Sequence, residues 1–436
     1  MKIEHISKRV MTEIKSGLVE HISKIKDKDF NGAQVQLIEK DFYKLFGKSA
    51  RCGISELLFQ NDITKKYIIL DGKKYYFKYK SIGKYLTLLG EVAVKRSIYQ
   101  SNKSSISYCP LESRLMFVND YVSFAATEYI SYTLASMTPS EFVKHCKKWT
   151  LMKPSISTVK RVINYVGKFM ETNDFIGSVQ CTEQVPIEAK ILAISIDATS
   201  VLVKKEGWRQ ATAGTISVYN KDGDRLNTTY IGRMPEKSKI KIKRALVNEV
   251  ESIVTRQKFE QIVCIADGAV ENWIFFRKKF PNAVHITDFF HVAEHLSKLS
   301  ELLFKKAEEA KVWYDKYRTI LKNDPNGATK TIRAARYRCS LINTKNTAIG
   351  SEIKYLQHNR KRMNYFEYKQ KNLPIGSGVV EAACKNLIGA RLKKSGMSWT
   401  IEGGQHILSL RSLVLSNRWD KFWDYFLKFH FSNNVM

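Results

Sequence analysis

Three acidic segments, separated by long stretches of chain, are the residues best suited to chemistry: Ile194-Ser195-Ile196-Asp197, Cys264-Ile265-Ala266-Asp267-Gly268 and Gly376-Ser377-Gly378-Val379-Val380-Glu381. Asp197 and Asp267 each end an apolar run of strand type, and Glu381 opens a helix. In an open α/β sheet, functional groups gather beyond the carboxyl ends of the strands, so one fold can bring all three to a shared site. A hard divalent cation such as Mg²⁺ needs only one or two protein carboxylates beside phosphate oxygens. Two ions about 3.5–4 Å apart would activate an attacking oxygen and stabilise a leaving one. The chemistry implied is metal-dependent displacement at phosphorus, with two Mg²⁺ or Mn²⁺ ions.

Taken singly, each acid is ordinary. Asp267-Gly268 reads as a turn, and a Glu in a first helical turn is favoured by the helix dipole. Asp288-Phe289-Phe290-His291 adds a carboxylate and an imidazole close to one face, if residues 288–299 are helical. Asp288 is then a further candidate metal ligand, and His291 or His295 a candidate to orient a phosphate or hydroxyl. The alternative is that Asp288 caps the helix and one His packs. Beyond Glu381 come Lys385, Arg391, Lys393, Lys394 and Trp399, a set suited to phosphate contact and base stacking. Its alternative is a solvated basic face anchored by Trp399. Other chemistries lack their residues. No His and Cys set completes a tetrahedral zinc site, no Gly-x-Ser-x-Gly elbow is present, and Gly376-Ser377-Gly378 lacks the Lys of a phosphate loop.

The charge balance names a substrate class. Lys and Arg number 72 against 42 Asp and Glu, giving a net charge of +30 spread along 436 residues. Such a field attracts polyanions with a strong dependence on salt. Seven isolated Cys in no Cys-x-x-Cys spacing indicate reduced thiols in a cytoplasmic setting, and no run of 18 apolar residues predicts a membrane span.

The elements that must position these residues follow from periodicity. An amphipathic helix within 1–31 precedes a small β-rich module over 32–120, whose hairpin turns at Asp71-Gly72. Residues 121–185 are helical, with a capping box at Thr138-Pro139-Ser140-Glu141 and a second helix, capped by Ser157, that presents Lys160 and Arg161 outward. This pair is a plain helical hairpin or a helix-turn-helix for the DNA major groove. The pattern alone favours the hairpin, and the basic residues narrow the gap. Residues 186–302 alternate as three strands, then helix, strand, helix, strand and helix, which predicts a mixed α/β sheet. Residues 303–370 read as an all-helical insertion bearing Arg360 and Arg362, and 371–436 carry Glu381.

Together, Ser195-Ile196-Asp197-Ala198-Thr199, Ala266-Asp267-Gly268-Ala269, Asp288-Phe289-Phe290-His291-Val292-Ala293-Glu294-His295-Leu296 and Arg391-Leu392-Lys393-Lys394-Ser395-Gly396-Met397 resemble bacterial insertion-sequence transposases of the DDE type, in the Kra group related to Mutator-like elements. The likeness covers about residues 65–425 and is strongest after 370. It implies a ribonuclease-H-like core with a helical insertion, Asp197, Asp267 and Glu381 as catalytic metal ligands, and Asp288 and His291 beside them. It further implies binding to terminal inverted repeats and target DNA as a homo-oligomer, in a bacterial, nucleoid-associated setting. The Cys-rich N-terminal segment found in some members is absent from this sequence. The rival expectations are a ribonuclease-H-like nuclease or resolvase, and a non-catalytic DNA-binding regulator.

Overall fold

Continuous buried runs between Ile191 and Thr287 build one five-stranded sheet in the larger of two units. The structure is a computed structural model that describes residues 2–23, 31–70, 72–101, 107–173, 185–342 and 346–432. The chain divides into two compact units, residues 1–166 with 423–436, and residues 167–422.

In the first unit, helix Lys2–Ile22 packs on helix Gly32–Gln60. A four-stranded antiparallel sheet follows: β1 (Tyr67–Leu70), β2 (Lys73–Thr87), β3 (Gly90–Gln100) and β4 (Ser107–Tyr108). Leu70 pairs with Lys73 across a two-residue connection in which Gly72 has φ 72°, the left-handed conformation such a turn requires. Tyr85, Val92, Val94 and Ile98 form its core with Ile54 and Leu58 of the second helix. Residues 32–60, expected within the β-rich module, are therefore a 29-residue helix. Three glycines lower its intrinsic propensity, and packing on its neighbours compensates.

Helix Pro139–Trp149 begins as expected, with the complete Thr138–Glu141 capping box. The next helix, Ile156–Thr172, is capped by Ser155 instead of Ser157, since Thr158 N donates to Ser155 Oγ at 3.0 Å. Val159, Val162, Ile163 and Val166 are buried, while Lys160 and Arg161 are exposed.

The second unit contains β5 (Ile191–Val203), β6 (Gly207–Tyr219), β7 (Arg225–Arg233), β8 (Gln261–Ala266) and β9 (Val284–Thr287), in the order β7-β6-β5-β8-β9. The first three are antiparallel; β8 and β9 run parallel to β5 and to each other. This is the expected mixed sheet, with helices on both faces. Helices Ile240–Val254 and Val270–Lys279 cover one face through Leu246, Val250, Trp273 and Phe276. The other face packs on helix Phe289–Leu303 and the helices between 307 and 370. Edge strand β7 is closed by helix Ile401–Leu415 and the residue after it. Ser412 and Ser416 hydroxyls accept from Gly232 N and Tyr230 N at 3.1 and 2.9 Å, occupying edge donors that would otherwise invite another strand.

Among the described residues no helix is long and apolar enough to cross a membrane. The six described cysteines are free thiols; Cys181 and Asp71 lie outside the described residues.

Candidate active site

β5 does not stop at Asp197. The run Asp197-Ala198-Thr199-Ser200 interrupts the apolar pattern, but β6 pairs with β5 as far as Val203↔Gly207. What ends near Asp197 is the parallel pairing with β8, whose last partners are Ser195↔Ile265. Asp197 lies two residues beyond that last pair on β5, and Asp267 two residues beyond it on the chain leaving β8. Burial pushes the Asp197 carboxyl above its usual range and the charge of Asp267 adds to the rise, against bonds from Ala198 N and Cys384. His291 lowers it, as a nearby imidazolium would.

Each Asp is held by local donors. Ala198 N donates to Asp197 Oδ1 at 2.7 Å, and Cys384 Sγ donates to Oδ2 at 3.5 Å. Burial and the Asp197 charge push the Cys384 thiol well up, which keeps it a donor. Asp267 Oδ1 accepts from Ala269 N at 3.1 Å and Asn272 Nδ2 at 3.2 Å. The turn anticipated at Asp267-Gly268 and a site carboxylate are thus the same residue.

Asp288 has a different role from the expected metal ligand. Its Oδ1 caps helix Phe289–Leu303 by accepting from Phe290 N at 2.5 Å and His291 N at 3.3 Å. Its Oδ2 accepts from Ser377 N at 2.6 Å and from Ser377 Oγ. With both oxygens taken and only 2% of the residue exposed, it is a strut joining the end of β9 to the segment before Glu381. The strut explains two motifs together. Phe290 lies against Gly376, where a Cβ would approach its ring to 2.7 Å, and Phe289 N donates to Ile375 O at 3.0 Å. Asp288-Phe289-Phe290 and Ile375-Gly376-Ser377 form one clasp, which starts helix Gly378–Ala383.

That helix carries Glu381 in its first turn and continues as a π-helical turn, Cys384–Gly389, a widening that recurs at functional sites. Cys384 is one turn beyond Glu381 and touches Asp197. Glu381 itself is exposed and pairs with Lys385 Nζ at 2.6 Å. Accordingly, no three His, Cys, Asp or Glu side chains among the described residues are gathered closely enough to hold a metal ion. Asp197 and Asp267 are half-buried just past the end of the β5–β8 pairing, whereas Glu381 is exposed and engaged by Lys385.

His291 Nδ1 lies 3.4 Å from Glu294. His295 is fixed by Glu352 at 2.5 Å and stacks on Tyr355, ring centroids 3.6 Å apart. Lys393 Nζ donates to Thr199 Oγ1 at 3.0 Å, two residues beyond Asp197. Lys394 and Arg360 are exposed, and Arg362 lies 4.6 Å over the Trp273 ring. Two expected DNA contacts are structural instead. Arg391 is 1% exposed and lies 5.1 Å over Trp399. Trp399 donates Nε1 to Leu392 O at 3.0 Å and bonds through its backbone to Leu202 O, so it is an anchor on the β5 edge. Sequence reasoning does not find Cys384, Asn272 or the exposed Trp208 of the β5–β6 hairpin. Only Cys384, three residues after Glu381, has a spacing that could signal it.

No protein family and no curated protein matches the chain. Among solved structures, the Drosophila P element transposase strand transfer complex aligns over 74% of this chain and 84% of that chain, at 12% identity. Its TM-score is 0.27. A likeness of that size carries no argument, and the case for function stands on the residues.

Proposed function

We propose that this protein is a DDE-type DNA transposase with a ribonuclease-H-like core, which binds the terminal inverted repeats of its element, cleaves there and joins the ends to target DNA. What supports the reading is the placement of Asp197 in β5 and of Asp267 directly after β8, its parallel neighbour in a β7-β6-β5-β8-β9 sheet, with the Glu381 helix packed against β5 and β6. Two half-buried, mutually repelling carboxylates suit a hard divalent cation, for which two protein ligands suffice beside phosphate. Mg²⁺ or Mn²⁺ held by Asp197 and Asp267, with Glu381 joining once it leaves Lys385, would supply charge neutralisation at the scissile phosphate.

The chain's own residues do the rest. Asn272 and the Ala269 amide orient Asp267, while Cys384 and Ala198 orient Asp197. The Asp288–Ser377 clasp fixes the start of the Glu381 helix. Lys393 presents a cation beside Thr199 for a strand running along β5, and His291, whose Nδ1 lies 3.4 Å from Glu294, is the imidazole proposed to position the attacking hydroxyl. Lys160 and Arg161 supply an outward basic face for binding duplex DNA.

The same acids would serve a nuclease or resolvase that hydrolyses without joining. Incubating the wild-type protein with pre-cut element ends, target DNA and Mg²⁺ separates the two. Covalent end–target products that disappear in Asp197→Ala support the transposase; hydrolysis products without joining support the nuclease.

A further inference from the structure

Beside Asp267 lies a cleft of 370 Å³, between the stretch Gly268–Arg277 and the insertion helix Thr347–Asn359 with Arg362 after it. Trp273 and Tyr355 of its lining also pack on the two core clusters, but packing does not account for the cations around its mouth. Arg277, Lys354 and Arg362 converge there, and no carboxylate stands in ion-pair contact with any of the three among the described residues. Burial lowers the Arg362 pKa, and the repulsion of a second cation, Arg277, lowers it further.

The cleft wall also holds donors without acceptors. Trp273 Nε1, Arg362 Nε and the Tyr355 hydroxyl are buried and have no hydrogen-bond partner among the described residues. An indole or guanidinium N–H can only donate, so Trp273 Nε1 and Arg362 Nε can be satisfied only by an acceptor. The geometry is fixed in advance. Arg362 Nη2 donates to Asn359 Oδ1 at 2.7 Å and to His358 O at 3.3 Å, with its plane over Trp273. Arg277 Nε donates to Trp273 O at 3.3 Å, and Tyr355 is held by its stack on His295. Gly268 lets the Tyr355 ring approach, since a Cβ there would meet it at 2.2 Å.

We propose that this cleft binds the phosphate of a nucleotide-sized ligand between Arg277, Lys354 and Arg362, with Trp273 Nε1 as a further donor. The Tyr355 hydroxyl, which senses the carboxylates of Asp267, Asp288 and Glu352, is not one of the phosphate's donors. Planar guanidiniums match phosphate oxygens, and the volume is that of a small-ligand pocket. The phosphate has two sources, a free nucleoside phosphate or one nucleotide of a DNA strand passing Asp267. The cleft residues carry this assignment independently of the catalytic reading.

The test is fluorescence anisotropy with two probes, a labelled ATP and a labelled 12-nucleotide single strand, at fixed salt. Wild type is compared with Arg277→Ala/Lys354→Ala, with Arg362→Gln, and with Lys278→Ala/Lys279→Ala, which removes two exposed charges of the same helix outside the cleft. The cleft variants weaken binding about tenfold or more, while the control pair stays near wild type. Loss confined to ATP identifies a free nucleotide, and loss confined to the oligonucleotide identifies a strand phosphate. Thermal unfolding measured alongside identifies any variant that misfolds, and only folded ones are compared. Both probes are read without Mg²⁺, so binding at this cleft is measured apart from any metal-dependent cleavage. Cleft variants that bind like wild type, or a control pair that weakens binding equally, overturn the proposal.

Discussion

At the scale of residues, burial governs which titrating groups act. His406 is 1% exposed, sits against Gly167 and has an unpartnered Nδ1; burial lowers its pKa from 6.5, with Glu402 and Glu171 opposing and Lys168 assisting. Burial lowers His285 as well, helped by Arg362 and Arg277. A histidine with a depressed folded pKa is protonated first in the unfolded chain. Its contribution to stability is therefore complete above pH 6.5 and declines as pH falls below that value. Thermal unfolding midpoints should fall between pH 7 and 5, and His406→Gln should flatten part of that slope. A variant with an unchanged slope would contradict the assignment. The sign of charge alone does not reveal which polar residues turn inward. Arg391 and Trp399 read as DNA contacts because both types serve that use, whereas their mutual stacking depends on a chain reversal that no local pattern encodes.

Elements fix the site through a few buried polar ties. Arg418 donates to Glu249 at 2.5 and 3.0 Å and to Thr229 Oγ1 at 3.0 Å, joining helix Ile240–Val254 and β7 to the turn after helix Ile401–Leu415. Glu249 is 3% exposed, so Glu249→Ala strands a buried guanidinium and should cost about 3–5 kcal/mol in denaturant unfolding. A loss below about 1 kcal/mol would show that the tie is solvated. Weakening the clasp by Ser377→Ala, which removes the hydroxyl donor to Asp288 and keeps the backbone one, should lower cleavage while leaving DNA binding intact. Loss of binding together with cleavage would argue against a positioning role. Elements are legible where the apolar run and its punctuation coincide. The run from Gln261 to Ala266, bounded by Asp267-Gly268, predicts β8 as it stands, and the pattern of the insertion predicts its helices. β5 reads shorter than it is because its extension depends on its partner β6, and glycines obscure the periodicity of helix Gly32–Gln60.

Over the whole molecule, a net charge of +30 attracts polyanions, and the proposed DNA binding should therefore rest mainly on phosphate contact. The logarithm of the association constant for element-end DNA should fall steeply and linearly with the logarithm of salt; a nearly flat line would contradict a phosphate-dominated interface. The sequence locates the three acids and the sheet that carries two of them, but not their distances. Those depend on β5–β8 register and on the clasp, both made between segments remote in the chain. The most direct test of the central claim is Mg²⁺-dependent cleavage of element-end DNA by wild type, Asp197→Ala, Asp267→Ala and Glu381→Ala, with end binding measured in parallel. The account predicts cleavage by wild type alone and near wild-type binding by all four. Cleavage persisting in the three variants would contradict it.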